Sequence, residues 1–209
     1  MAVEFRPADV EARRIYRTLV TGVIPRPIGW ISTVDADDND NVAPFSFFNV
    51  ACVDPPMIQF AHGSRADGSL KDTARNVLET EEFVHNVVTR DVLQRMHDSS
   101  ATLPADESEF DACGIERAPS KTVAPPRVAD AKVSFECSLE RALELGSHVL
   151  FIGEIEYVHI DDAVATEAGE LDLFELDAVG RLSAGQYVEL EEFLQLPPVK
   201  EEDFPKSGE

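Results

Sequence analysis

The segment His62-Gly63-Ser64-Arg65-Ala66-Asp67-Gly68-Ser69-Leu70-Lys71-Asp72-Thr73-Ala74-Arg75-Asn76 carries three basic residues against two acidic ones, inside a 209-residue chain of formal net charge −22. It is a positive patch in negative surroundings. It also leads into a predicted helix, whose first turn presents unpaired backbone N–H groups and a dipole that both favour an anion. Lys71 adds a point charge, and Ser64, Ser69 and Thr73 add hydroxyl donors. A phosphate suits that donor set; an exposed loop running into a capped helix would have the same composition.

A second segment, Ala43-Pro44-Phe45-Ser46-Phe47-Phe48-Asn49-Val50-Ala51, interleaves phenylalanine with Ser46 and Asn49 and does not alternate cleanly as a strand does. A flat heteroaromatic ring with carbonyl and N–H edges needs apolar walls and a few placed polar groups of this kind. Ordinary core phenylalanines are the alternative. Other chemistries lose their usual support, because there is no Gly-x-Gly-x-x-Gly, Walker loop, Gly-x-Ser-x-Gly or His-Glu-x-x-His. Cys52, Cys113 and Cys137 form no Cys-x-x-Cys pair or Cys/His metal spacing, so reduced thiols are expected and no metal site is. No convincing catalytic triad or carboxylate pair is found in the sequence.

The chain sets 40 Asp and Glu against 18 Lys and Arg, and the basic residues are mostly arginine. So negative a surface repels phosphate backbones and anionic lipid, which argues against nucleic-acid and membrane-surface roles. It also reads as adaptation to a salt-rich cytoplasm, since molar salt shortens the Debye length to about 3 Å and screens such self-repulsion. The hydrophobic share of 44% and charged share of 28% suit one globular domain. The N-terminus lacks an apolar leader and no stretch is long enough to span a membrane, so a cytoplasmic, soluble protein is expected.

The elements that must position these residues follow from periodicity and breakers. A helix is expected over residues 9–19, capped by Asp9, then a half-buried strand after Pro25 and Pro27 up to Val34. A turn at 35–41 leads to strands over 42–45 and 57–61, separated by Pro55-Pro56. A helix over 72–80 with Asp72 as its cap precedes a strand over 82–88 and a helix over 91–97. Residues 99–126, rich in Asp, Ser, Ala and Pro, form a long excursion. Two long strands, 132–145 and 149–160, pair around Gly146-Ser147. Residues 1–188 make the domain, and 189–209 an acidic, proline-containing tail expected to be loosely held. The pattern is mainly β with peripheral helices, a closed or nearly closed antiparallel barrel.

Together the motifs Arg26-Pro27-Ile28-Gly29-Trp30-Ile31-Ser32-Thr33, Asn41-Val42-Ala43-Pro44-Phe45-Ser46-Phe47-Phe48-Asn49, Asp54-Pro55-Pro56, Lys71-Asp72-Thr73 with Asn76, and Glu82-Phe83-Val84 with Asn86 resemble the flavin reductase-like family, the FMN-binding split barrels that include flavoredoxin. Phe135-Glu136-Cys137-Ser138-Leu139 and Gly153-Glu154-Ile155 continue the likeness, which runs from about Arg13 to Tyr187. The resemblance implies a homodimeric split β-barrel of Greek-key type with FMN near the dimer interface. It implies that Ser46, Phe47, Phe48 and Asn49 lie along the flavin, and that Arg26, Ser32, Thr33, Lys71 and Thr73 surround ribityl and phosphate. Ser64 and Arg65 join this set on charge and position. The implied activity is hydride transfer from NAD(P)H to flavin, with electrons passed onward to an acceptor protein or monooxygenase; a flavoredoxin-like carrier or passive FMN-binding protein is the alternative. A pyridoxamine phosphate oxidase-like barrel shares the architecture but fits these motifs less well. Two departures stand out: Arg181-Leu182-Ser183-Ala184-Gly185-Gln186-Tyr187 lacks the family's glycine pair, and His85 replaces an aliphatic residue and reads as a satisfied strand histidine.

Overall fold

A computed structural model describes residues 2–198 apart from 66, 105, 106, 191 and 193. Of the expected tail, residues 191, 193 and 199–209 therefore lie outside the described residues. The frame is a seven-stranded antiparallel sheet in the order β2-β1-β5-β8-β9-β4-β3. Its strands are β1 (Gly29–Val34), β2 (Asp40–Phe45), β3 (Phe48–Val53), β4 (Pro56–Gly63), β5 (Glu82–Val87), β8 (Val133–Leu145) and β9 (His148–Ile160). Short pairs β6 (Arg117–Ala118) with β7 (Arg127–Val128), and β10 (Val179–Arg181) with β11 (Tyr187–Glu189), stand apart from it. The helices are α1 (Ala12–Gly22), α2 (Asp72–Thr80), α3 (Leu93–Asp98), α4 (Glu109–Ala112) and α5 (Leu173–Leu176).

β1 is buried along its whole length rather than on one face. Trp30 joins Ile28, Val42, Met96 and Phe110 on one side, while Ile31 joins Phe60, Phe83 and Phe151 on the other. The second cluster fills the curled sheet and is sealed by Ala74 and Val77 of α2. The first is covered by α3, α4 and β7. Between them Asn86, fully buried, binds four neighbours: its Nδ2 donates to the Trp30 carbonyl and the Ser32 hydroxyl, both at 3.2 Å, and its Oδ1 accepts from Val128 N at 2.9 Å and Ser134 Oγ at 3.1 Å. A buried amide with all these partners satisfied fixes the register of β1, β5 and β8.

The sheet closes without a ladder at its seam. β2 and β3 are the two edges, yet the chain steps from one to the other through Ser46-Phe47. The Phe45 ring on β2 meets Phe60 on β4 at 5.0 Å, and Phe48 meets His85 on β5 at 4.4 Å. The architecture is a split antiparallel β-barrel with peripheral helices, and the connection from β4 to β5, which passes over β9 and β8, is of Greek-key type.

Several local expectations change. α1 begins at Ala12, and Asp9 lies in a preceding 3₁₀ turn rather than capping it. α2 has the expected bounds, but Lys71 occupies the cap and Asp72 is the first helical residue. β3 falls where no strand was expected, because its residues are largely exposed and a bulge between Val50 and Cys52 breaks the alternation. The excursion over 99–126 contains α4 and β6 and is tied down by buried Glu136, which accepts from Lys121 N at 2.7 Å, Thr122 N and Thr122 Oγ1 at 2.6 Å, and His159 Nε2 at 2.5 Å. Among the described residues the cysteines are free thiols, and no helix is long and apolar enough to cross a membrane.

Burial alone would raise the Glu136 carboxyl, but the hydrogen bonds from Thr122, His159 and Lys121 outweigh it and hold the group down at about 2. Its depressed value means that its stabilisation is complete above the ordinary carboxyl range near 4.5 and is lost as pH falls from there to about 2. Glu136→Gln is expected to lower unfolding free energy at pH 7 by about 3 kcal/mol at most. Denaturant titrations should show that deficit shrinking as both proteins are taken toward pH 2; a deficit independent of pH would overturn the assignment.

Candidate functional site

The N-terminus of α2 forms the anion-facing end of an open groove. Lys71 is exposed, lines that groove, and enters no ion pair among the described residues. Thr73 is almost fully buried, and its Oγ1 accepts from Asn41 Nδ2 at 3.0 Å, which leaves the hydroxyl proton free to donate. Asp72 would oppose an anion here, but Arg75 at 2.9 Å and Arg65 at 3.3 Å pair with its carboxylate. Arg65 also donates to the Leu70 carbonyl, so its guanidinium is committed to shaping the loop.

From that end the groove runs along β2 past Asn41, Phe45 and His62, with a volume of about 120 Å³. It continues into a second recess of about 110 Å³ lined by Ile28, Ser46, Met96, Arg181 and Tyr187; the two share Pro44, Phe45 and Ser100. β2 can border a groove because its outer edge has no partner strand. Glu109 of α4 answers one exposed ladder group there, its Oε2 accepting from Val42 N at 3.2 Å. Burial raises the Glu109 carboxyl above its ordinary value, and the nearby Asp72 and Asp40 charges add to that. His62, buried and 5.1 Å from the Phe45 ring, is pushed down to about 4 by burial, so it stands neutral at pH 7 with Nδ1–H donating to the Gly63 carbonyl at 2.8 Å.

The structure brings Ser46, Arg65, Lys71 and Thr73 to this groove. Arg26 lies beside it, spending its donors on the carbonyls of Val20 at 2.5 Å, Val23 at 2.7 Å and Leu182, with Nε reaching Ser46 Oγ at 3.4 Å. It clamps the end of α1 to the loop after β10 and orients Ser46. Ser32 and Thr33 are fully buried; Ser32 Oγ donates to the Pro126 carbonyl at 2.6 Å, and Thr33 Oγ1 accepts from Asn76 at 3.1 Å. Ser64 donates its N–H to the Ser147 carbonyl at 3.1 Å on the next loop. Phe47 is exposed and stacked on His148 at 5.6 Å, Phe48 packs on Gly29 and His85, and Asn49 accepts from Val50 N at 2.8 Å on the edge strand.

His85 departs from the satisfied strand histidine that was expected. It is buried between Phe48 and Phe135, its Nδ1 finds no hydrogen-bond partner, and burial pushes the ring down to about 3. Asn41, His62, Glu109, and the cluster of Arg181, Tyr187 and His97 were not singled out as site residues from sequence. Asn41 sits in the family-like motif, His62 opens the cationic segment, and Arg181 and Tyr187 bound the segment that departs from the family pattern, so these could have been found there; Glu109 and His97 come from distant elements with no local signal. Among the described residues no group of acidic, histidine or cysteine side chains is placed to hold a metal ion.

Comparison with known proteins gives a consistent set. The family model described as "Flavin reductase like domain" matches residues 21–174. A protein of Aquifex aeolicus (strain VF5) is 37% identical over 187 residues, covering 89% of this chain and 95% of that one. The structure of nitrilotriacetate monooxygenase component B from Bacillus cereus superposes with a TM-score of 0.90 at 29% identity, covering 94% of this chain and 99% of that one. For 2-nitrobenzoate 2-nitroreductase NbaA from Pseudomonas fluorescens the TM-score is 0.88 at 25% identity, with coverage of 99% and 100%.

Proposed function

The chain belongs to the flavin reductase-like family, and from that membership we propose that it binds FMN in the groove along β2 and reduces it with NAD(P)H. The observation that carries this reading is Lys71, which has no counter-ion among the described residues and stands at the mouth of a helix in a chain of net charge −22. Lys71, the Thr73 hydroxyl and the first free N–H groups of α2 would hold the phosphate, while Phe45 and Ser46 would border the ring. When bound, FMN supplies acceptance of hydride from the nicotinamide and release of electrons to an acceptor.

The protein's share of the work is binding, orientation and exclusion of water. Arg26 fixes Ser46 from one side, and Asn41 fixes Thr73 from the other. Neutral His62 adds no charge to the groove wall, which keeps Lys71 as the attraction for an anion. The reading includes a homodimer, a cytoplasmic location and an electron acceptor that is either a protein or a monooxygenase. The name of the Bacillus cereus relative, a monooxygenase component, supports the last of these. The acidic surface is taken as an adaptation to high salt.

Lys71→Ala together with Thr73→Ala is expected to weaken FMN binding by about tenfold or more while leaving riboflavin binding nearly unchanged. Equal losses for the two flavins would remove the phosphate assignment. In anaerobic spectra the FMN-loaded protein should bleach within seconds of adding NADH or NADPH. Bleaching only with dithionite would replace the reductase reading by a flavoredoxin-like carrier. Thermal unfolding in increasing potassium chloride should give a rising midpoint, and a flat response would remove the salt proposal.

A further inference from the structure

The recess beyond Ser46 contains a second cation without a counter-ion. Arg181 enters no ion pair among the described residues, although acids outnumber bases by more than two to one along the chain. Its position is fixed from several sides. Arg26 N donates to the Arg181 carbonyl at 2.9 Å and Arg181 N donates to the Arg26 carbonyl at 2.8 Å. The preceding Gly180 permits that docking, since a Cβ there would stand 2.8 Å from Pro25 Cβ. The guanidinium lies over the Tyr187 ring, 4.6 Å from its centroid, and its Nη1 donates to the Tyr187 hydroxyl. That hydroxyl is also hydrogen-bonded to His97 Nδ1 at 2.8 Å, which holds the phenol from its other side. Burial raises the phenol above its ordinary value, so it brings no negative charge to the cation.

We propose that Arg181, braced by Tyr187 and His97, is an anion subsite that takes the carboxylate of a one-ring aromatic acid. Among the described residues only one guanidinium nitrogen is occupied, which leaves donors for a two-pronged grip on a carboxylate. Ile28, Phe45 and Met96 supply apolar walls for the ring. The recess, about 110 Å³ in volume, has room for a single ring. Because Ser46 lines the same recess, the acid would lie beside the flavin; that placement rests on the FMN reading, whereas the subsite itself does not.

The test is calorimetric titration of the protein, with and without FMN, using sodium benzoate and its neutral isostere benzamide. Benzoate should bind about tenfold more tightly than benzamide. Arg181→Gln should erase that preference while FMN affinity, followed by flavin fluorescence, stays within about twofold; Arg181→Lys should keep part of it. Tyr187→Phe should weaken benzoate by a few-fold through a less constrained guanidinium. Equal binding of benzoate and benzamide, an unchanged preference in Arg181→Gln, or loss of benzoate binding in Lys71→Ala instead would each overturn the subsite. Failure to take up FMN with benzoate binding intact would overturn the FMN reading alone.

Discussion

The seating of Phe48 on Gly29 is the contact on which the barrel depends. A Cβ at Gly29 would lie 2.5 Å from Phe48 Cδ2, so only glycine lets the first residue of β3 pack onto the first residue of β1. Edges β2 and β3 share no ladder in the sheet, and backbone hydrogen bonding cannot join them. Closure falls to aromatic packing instead: Phe48 against His85, Phe45 against Phe60 and His62. An edge strand closed by side chains keeps unpaired N–H and C=O groups along its outer side. That is why β2 can form the wall of a groove, and why Glu109 must be buried beside it to satisfy Val42.

Charge follows the same division. Several acids are paired with basic side chains, as Asp72 is with Arg65 and Arg75, and Asp40 with Arg117. Lys71 and Arg181, unpaired among the described residues, stand along the connected groove, one at each recess. In so acidic a protein an anionic ligand meets long-range repulsion, and a cation already neutralised by a carboxylate would not offset it. Arg26 illustrates the contrast: it is buried, its donors are consumed by carbonyls, and its role is to hold Ser46 and the Arg181 backbone in place.

The excursion over residues 99–126 serves the same groove. Glu136 and Glu82 hold its far end through Thr122, Lys121 and Ala124, while Ser99 receives the Trp30 indole N–H at 3.0 Å and starts the wall formed with Ser100. A stretch that composition marks as irregular is thereby a structured cover. Its anchors are buried polar groups together with a few core side chains, Phe110 and Ile115, too widely spaced to show as hydrophobic periodicity.

The sequence by itself determined the parts that depend on neighbours along the chain. α2 over Asp72–Thr80, the long hairpin of β8 and β9 around Gly146-Ser147, and the cationic start of α2 were legible because periodicity, breakers and local charge act over a few residues. Membership of a split-barrel family was legible from motifs lying in order. Tertiary structure alone decided the rest. It placed β3 at an edge where exposure and a bulge hide its alternation, and it left His85 Nδ1 without a partner between two phenylalanines. It joined His97 to Tyr187 across 90 residues and spent the donors of Arg26 on backbone. Which cation keeps its charge free for a ligand depends on what the fold brings within about 4 Å of it, and a sequence does not carry that distance.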